Sequence, residues 1–568
     1  QNPNTMKRLI ILAATLIAGL SACDSLLDKE PLDRVTQFDY FKTRSDLELF
    51  SNPFYDNLLD KTPYDEQNDL LVQMTLSDVL YGGDKRTVPN TGGGWSWGNL
   101  RRINTLLEYV DQCEDKKAVT EYTALAKFFR AAFYFDKVKR FGDVPWYDIQ
   151  LGSADEALYK PRDSRELILT KMLEDIDYAI NSGGLTESAA DPYHVNKWAA
   201  LALKAQFCLY EGTWRKYHGL DGSEEWLRAC VAASEELMGD SPYSLVSTAG
   251  EETTNYSKVF KSEEPQYTEV ILANEFNATL NRFHDASWYY ASGSYGQRNS
   301  GPKAFVNMYL NLDGTRFTDK DGYNKTQFKD EFAGRDYRLR QTFITPYYVK
   351  KVGGKETNEF AKVFPGLTTQ LTYYRIIKWN TDDDANESNT SSANSLPVFR
   401  YAEILLNEAE AKAELGEMDQ TVWNKTIRPL RERSGVSGAM PATADPYLAS
   451  YYDGVTDKWI LECRRERSIE LYMENTRRDD LMRWRMGHKL TVEFAGIHIP
   501  ELGKPFDMNG DGKNDLCFYS KSHPKSGSNQ TGVSYVEVTA EEGDNVTTYS
   551  VNKDNCLVYI LDREWADY

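Results

Sequence analysis

Apolar positions recur at helical spacing through two long stretches of the chain, about 42–215 and 397–487. In Thr123–Phe141 (TALAKFFRAAFYFDKVKRF), Leu125, Phe128, Phe129, Ala132, Phe133, Phe135 and Val138 mostly return every three or four residues, as one face of an α-helix does. Gly142 and Pro145 stop that helix, because neither residue propagates one. Ser164–Ile180 and Val195–Tyr210 predict two further amphipathic helices. In the second block, Val398–Leu415, closed by Gly416, and Lys458–Arg485 predict the same. Both blocks read as paired antiparallel helices of a solenoid, although no clean repeat of about 34 residues runs through them. Residues 216–396 break the pattern. They are rich in Gly, Asn, Asp, Ser, Thr and Tyr, with short β-like pieces such as Glu269–Asn274 and Leu371–Trp379. Long irregular segments inside a compact protein usually carry function. The tail, 490–568, is turn-rich and strand-like. The expected organisation is one mainly α domain over 23–568: a helical scaffold (23–215), an irregular ligand-facing insert (216–396), a second helical block (397–489) and the tail (490–568).

Ahead of the scaffold, Met6 to Cys23 read MKRLIILAATLIAGLSAC. Lys7 and Arg8 precede an apolar run from Leu9 to Leu20, which ends in Leu20-Ser21-Ala22-Cys23. A charged start, a short apolar core and small residues before a Cys make a bacterial lipoprotein signal. The run is shorter than the ~20 residues a membrane span needs, and Asp24 and Asp28 follow at once. Residues 1–22 are therefore expected to be removed, Gln1–Thr5 being an extension upstream of Met6. Cys23 is expected to be lipidated, with acyl chains as the sole membrane attachment, each buried CH₂ contributing roughly 0.8 kcal/mol.

Charge narrows the choice of partner. Lys+Arg 66 against Asp+Glu 86 gives a net charge of −20. That argues against nucleic acid, whose phosphates need clustered cations, and against docking on anionic lipid. It also disfavours uronic-acid or heavily sulfated polymers unless a local basic patch exists. Aromatic residues make up 13% of the chain, with 36 Tyr and 12 Trp, enough to fill a helical core and to leave rings for stacking on sugars. Of seven Cys, none forms a CxxC or zinc spacing. Cys208 and Cys463 read as buried thiols, while Cys517 and Cys556 in the tail leave pairing open.

The search for catalytic chemistry is nearly empty. None of the six His makes an HExxH, and no GxSxG elbow, Walker loop or dinucleotide fingerprint occurs. The expectation is a protein that is not an enzyme and requires no cofactor. One metal motif stands out: Asp507-Met508-Asn509-Gly510-Asp511-Gly512-Lys513-Asn514-Asp515 places Asp507, Asn509, Asp511 and Asp515 at calcium-loop positions, with Lys513 supplying a carbonyl and Gly512 at the sharp turn. Phe518 stands where the bidentate Glu of an EF-hand belongs, so a structural Ca²⁺ site and a solvated Asx-rich turn both remain open.

Loop aromatics are the best binding candidates. Trp95 and Trp97 sit beside a triple Gly in Thr91–Asn99, with Trp97 expected to turn inward and Trp95 to face out. Asn99 follows, and Asp78 and Arg86 flank the cluster as donors and acceptors for sugar hydroxyls. Trp288, Tyr289, Tyr290 and Tyr295 form a second cluster in a polar loop, where at least one ring is expected to be exposed. The mixed charges of Arg464-Arg465-Glu466-Arg467, Glu470, Glu474, Arg477, Arg478, Asp479 and Asp480 read as an intramolecular salt-bridge lattice.

Several motifs in order resemble the SusD/RagB family of Bacteroidetes surface lipoproteins, over essentially the whole of 23–568. They are Leu26-Leu27-Asp28-Lys29-Glu30-Pro31, Arg101–Glu108 (RRINTLLE), Ala126–Ala131 (AKFFRA), Arg140–Pro145 (RFGDVP), Pro397–Leu406 (PVFRYAEILL), Ala409-Glu410-Ala411, Ile427–Arg431 (IRPLR), Arg464–Arg467 (RRER) and Asp480–Trp484 (DLMRW). The resemblance implies a scaffold of tetratricopeptide-like helix pairs carrying a loop-rich, partly β insert. It implies no chemistry, an oligosaccharide or polysaccharide ligand, and a SusC-like TonB-dependent outer-membrane transporter as partner, with the lipoprotein as a lid facing the cell exterior. A lid for peptide or glycoprotein-derived ligands, or a surface glycoside hydrolase, are the alternatives. By position and residue type, the family's aromatic arc falls on Trp95 and Trp97, then on Trp288 to Tyr295. Three departures stand out: Leu125 replaces a usual Glu, Asn475 replaces a usual Gly, and the chain ends at Tyr568 where relatives continue into a Pro-rich stretch, which implies a shortened C-terminus.

Overall fold

Five long helices follow one another through the first half of the chain in a computed structural model that describes residues 40–58, 65, 67–73, 92–152, 154–292, 298–364, 366–388, 390–491, 493–538 and 548–560. After α1 (Arg44–Ser51) come α2 (Gly98–Tyr109), α3 (Lys116–Phe141), α4 (Arg165–Asn181), α5 (Lys197–His218) and α6 (Ser223–Asp240). Their ends have local causes. The Asp115 carboxylate accepts from the N–H groups of Lys117 and Ala118, so α3 starts earlier than its apolar period suggests. Ser164 and Asn196 cap α4 and α5. The turn between α5 and α6 is made by Gly219 and Gly222, both left-handed with φ of 72° and 80°, a backbone that other residues adopt only with strain. Helix α6 packs on α5 and on the later α7, so the helical scaffold runs to 240 rather than 215. The composition of 216–222 hides this, because its turn residues mark a tight hairpin and not the start of an irregular region.

In the second block the chain enters as a strand. β4 (Leu396–Arg400) pairs antiparallel with β1 (Val270–Asn274), and α7 (Tyr401–Glu414) begins only after it. Val398, Phe399 and Arg400, read from sequence as helical, are thus extended: a fully buried strand and a buried helix share the same apolar run. Lys458–Arg485 likewise divides into α8 (Lys458–Glu470) and α9 (Arg477–Arg483), with Met473 and Asn475 at φ of 64° and 60° between them. Asn tolerates the left-handed geometry that a Gly would adopt freely. Leu371–Trp379 forms no strand and makes only isolated bridges, Arg375 to Ser300 and Ile376 to Phe343. A small hairpin, β2 (Lys350–Val352) with β3 (Lys355–Thr357), lies in the insert. The tail forms a sheet ordered β5 (Phe494–His498), β9 (Cys556–Ile560), β8 (Thr548–Val551), and a parallel pair, β6 (Leu516–Tyr519) with β7 (Ser534–Glu537).

One apolar core fills the space among α1 to α6, around residues such as Ile103, Phe128, Ile176 and Phe207. A second joins insert, tail and α8–α9, around Phe305, Phe343, Ile376 and Tyr472. Between them lies a buried ionic network. Arg400 of β4 donates to Glu269, Glu470 and Glu474, Arg433 to Glu269 and Glu470, and Arg338 of the insert to Asp336 and Glu470. Arg483 and Arg467 share Glu410 and Asp480. These residues are all buried. The charged helix is therefore not a solvated face, and its lattice ties the insert to the second helical block.

All six described cysteines are free and buried. Cys517 and Cys556 do not pair: the Cys517 Sγ stays within β6, while the Cys556 Sγ donates to the Asn324 carbonyl at 3.3 Å. No helix among the described residues is long and apolar enough to cross a membrane. The signal segment and Cys23 lie outside the described residues.

Candidate functional site

Site geometry begins with α3. It buries residues around most of its circumference, and with them Arg130 and Lys137. Arg130 donates to both carboxylate oxygens of Asp175 on α4, at 2.6 and 2.8 Å, and to Asn104 Oδ1 on α2 at 3.2 Å. Fixed in this way, Asn104 turns its Nδ2 to the carbonyls of Tyr147 and Ile149, at 2.9 and 3.1 Å. The Tyr134 hydroxyl accepts from the Tyr147 N–H at 2.6 Å. The connection between α3 and α4 is thereby held against the N-terminal half of α2. It is closed at its far end by Asp163, whose carboxylate accepts from the Trp146 N–H at 2.7 Å and pairs with Lys160 at 2.8 Å. Burial works to raise the Asp163 carboxyl, but Lys160 and the Trp146 N–H outweigh it and hold the group below its ordinary value.

On the opposite side the triple Gly makes its turn. Gly92, Gly93 and Gly94 all have positive φ, and a Cβ on Gly94 would stand 2.9 Å from Arg140 Nε. The Gly94 carbonyl accepts from the buried Lys137 Nζ at 2.5 Å. Burial lowers the Lys137 ammonium from its ordinary value; Asp136 opposes that and Arg140 adds to it. This loop presents Trp95 and Trp97 together, their ring centroids 5.2 Å apart and nearly perpendicular. Trp97 is half-buried and packs on Phe133, Tyr134 and Tyr147. Trp95 remains 39% exposed, with its edge on Phe141 and the Arg162 guanidinium 4.9 Å from its ring centroid.

Trp95 and Trp97 border a cavity of about 640 Å³, within the range of small-ligand sites. Leu100 and Leu151 add apolar surface, Tyr147 and Ile149 line a wall, and Arg101, Lys160 and Arg162 bring charge. Asn99 is half-buried on the first turn of α2 and does not line it. Asp78, Arg86 and Tyr295 lie outside the described residues. Residues from 145–162 escaped the sequence reading, although the signal was present: an aromatic-rich connection between Pro145 and Pro161, with Tyr147, Ile149, Leu158 and Tyr159, has too many apolar side chains for a plain linker.

The second aromatic cluster is placed elsewhere. Trp288, Tyr289 and Tyr290 belong to a short helix, Ala286–Ala291, not a polar loop. Tyr290 is fully buried, and its carbonyl accepts from Arg375 Nε at 3.0 Å, so its ring is not available to a ligand. Trp288 and Tyr289 are half-buried, Tyr289 packing against the second core. None of the three lines the Trp95 cavity.

The acidic loop at 507–515 is closed on itself. Asp507 accepts from the N–H groups of Asn509, Gly510 and Gly512, Asp511 from Lys513, and Asp515 from Met508. Burial, then the neighbouring Asp511 and Asp507 charges, raise the Asp515 carboxyl above its ordinary value. Among the described residues, no three His, Cys, Asp or Glu side chains come together as a metal-holding group. Its hydrogen bonds form an Asx-turn ladder.

Comparison with known proteins adds to this geometry. Residues 268–558 match the family model described as the SusD family, and residues 40–194 match one described as starch-binding, associating with the outer membrane. A SusD-like protein of Formosa agariphila is 23% identical over 520 residues, covering 84% of this chain and 89% of its own. A SusD-like carbohydrate-binding protein of Bacteroides fragilis superposes with a TM-score of 0.62 at 21% identity, over 83% of this chain and 93% of its own. A structure solved with a xylogluco-oligosaccharide superposes with a TM-score of 0.52 at 17% identity, over 78% and 84%.

Proposed function

The chain belongs to the SusD family, and from that premise we propose that it is a non-catalytic, lipid-anchored glycan-binding protein of the outer membrane, capturing oligosaccharide or polysaccharide for a SusC-like TonB-dependent transporter. The observation that carries the reading is Trp95, an exposed ring on a rigid Gly-rich loop at the mouth of a cavity with apolar walls. Sugar rings offer C–H faces that stack on such a surface, and the ring is pre-positioned by Phe141 and Trp97, so little entropy is lost on binding. The cavity is built from residues 95–162, inside the part of the chain that matches a starch-binding family.

Native affinity electrophoresis of residues 24–568 against a panel of neutral and acidic polysaccharides tests this. Retardation by at least one polymer is expected, weakened about five-fold or more in Trp95→Ala, since a lost ring contact costs ~1 kcal/mol. The variant is expected to keep the wild-type unfolding midpoint, because the ring sits at the surface. Equal retardation of variant and wild type removes Trp95 from the site.

A further inference from the structure

We infer that the Trp95 cavity selects acidic saccharides, those carrying carboxylate or sulfate groups, by means of Arg101 and Arg162. The inference deepens the glycan reading above and rests on it. The chain as a whole carries −20, yet the described residues lining this cavity include Arg101, Lys160 and Arg162 and no Asp or Glu. Lys137 and Arg140 stand just behind, at the triple-Gly loop. A local excess of cation on so acidic a protein is the reverse of what random placement of its charges would give.

Three of the carboxylates near the cavity are turned to other tasks. Asp163 is held by Lys160 and the Trp146 N–H, Asp155 caps the turn Glu156–Tyr159, and Glu108 faces the Gln150 N–H. Of the lining cations, Lys160 is thereby neutralised. Arg101 is exposed, and among the described residues no carboxylate pairs with it. Arg162 is exposed too; it donates to the Phe141 carbonyl at 3.4 Å and lies over the Trp95 ring, contacts that orient the guanidinium without cancelling its charge. A guanidinium with open N–H donors matches a carboxylate or sulfate in a two-point geometry. Beside it, Trp95 supplies the stacking face, so one sugar residue can meet both at once. A neutral glycan would stack on the ring but would leave two desolvated guanidinium groups unanswered, which disfavours it.

Four polymers test this in the same electrophoresis and in titration calorimetry: polygalacturonate, its carboxyl-reduced neutral form, a sulfated galactan and its desulfated form. Binding of an acidic polymer is expected, at least about ten-fold tighter than its neutral counterpart, and weakened several-fold as salt rises from 0.05 to 0.5 M. The carboxylate and sulfate arms distinguish which anion is preferred. Arg101→Gln/Arg162→Gln is expected to lose about ten-fold or more for the acidic polymer, and Arg101→Lys/Arg162→Lys, which keeps the charge but not the two-point geometry, to lose clearly less, with unchanged circular dichroism in both. Binding of neutral polymers alone, lost in Trp95→Ala, overturns this inference while the glycan reading stands. Acidic binding that survives the Gln pair, or falls as far in the Lys pair, overturns it as well. If no polymer is retarded, the glycan reading itself fails, and this inference with it.

Discussion

Neutralising Glu470 tests whether the buried lattice holds the insert to the second helical block. Its carboxylate receives Arg400 Nη1 at 2.7 Å, Arg338 Nη1 at 3.1 Å and Arg433 Nη2. The three arginines come from β4, from the insert helix Tyr337–Thr342 and from the chain just after Ile427–Glu432. Glu470→Gln keeps the shape and removes the charge. With opposite charges about 4 Å apart at an effective dielectric of about 20, each pair is worth ~4 kcal/mol gross. Three such pairs exceed the several kcal/mol that burying the carboxylate costs, which leaves the ~3–5 kcal/mol typical of breaking a buried ion pair. Burial works to raise the Glu470 carboxyl, but Arg433, Arg400 and Arg338 outweigh it and hold the group far below its ordinary 4.5. Its contribution is therefore complete above the ordinary carboxylate range and is lost as pH falls below about 4.5 through the depressed value. Urea unfolding followed by Trp fluorescence at pH 7 should show a loss of ~3–5 kcal/mol, shrinking as the pH is lowered. Glu432→Gln is the control: Glu432 pairs with Arg428 at 2.7 Å while both are about half exposed, and its loss should be under ~0.5 kcal/mol. If the two variants agree within ~1 kcal/mol at pH 7, the network is not what joins the two regions.

Glu408 carries the opposite sign. It is buried, its Oε2 has no hydrogen-bond partner, and burial together with the Glu235 charge pushes its carboxyl up to about 7. The folded state keeps a proton there that the unfolded chain releases near 4.5, so stability falls as pH rises from about 4.5 through 7. Glu408→Gln should match wild type at pH 5 and exceed it at pH 8.5 in urea unfolding; equal stability at both pH values contradicts the assignment. For the thiols, a chromogenic disulfide reagent should find none of the six described cysteines reactive in the native protein and all six after unfolding in urea without reductant. A Cys517–Cys556 bridge would instead hold two thiols back.

Helix existence was the most legible property of this chain. The apolar period marks α3, α4, α5 and α7 because each buries a face wide enough to impose it, and capping residues such as Ser164 and Asn196 stand in plain view. Boundaries failed where burial was complete. A run such as Val398–Phe399–Arg400 is apolar and inward-facing whether extended or helical, and its pairing with Val270–Asn274 is a long-range fact. The break between α8 and α9 is similar, since the backbone turn at Met473 and Asn475 lies inside one continuous charged run.

For the site, residue type and loop context were enough to single out Trp95 and Trp97, because a Gly-rich turn has little of its own with which to cover two indoles. The same reasoning misplaced Tyr290: a Ser- and Gly-rich neighbourhood in sequence does not reveal that the second core lies against it in space. Nor does sequence show whether charges are solvated. Arg464 to Asp480 reads the same as a surface face or as a buried lattice, and only the convergence of Glu269, Arg338 and Arg400 from distant segments excludes water from it. Sequence alone determined the helical scaffold, the acidic balance and the exposed Trp95, because these depend on local period, composition and turn chemistry. Tertiary structure alone decided which cations meet Trp95 and which carboxylates are spent elsewhere. A charge acts through its distance to other charges, and that distance is set by how α2, α3 and the 145–162 connection are folded together.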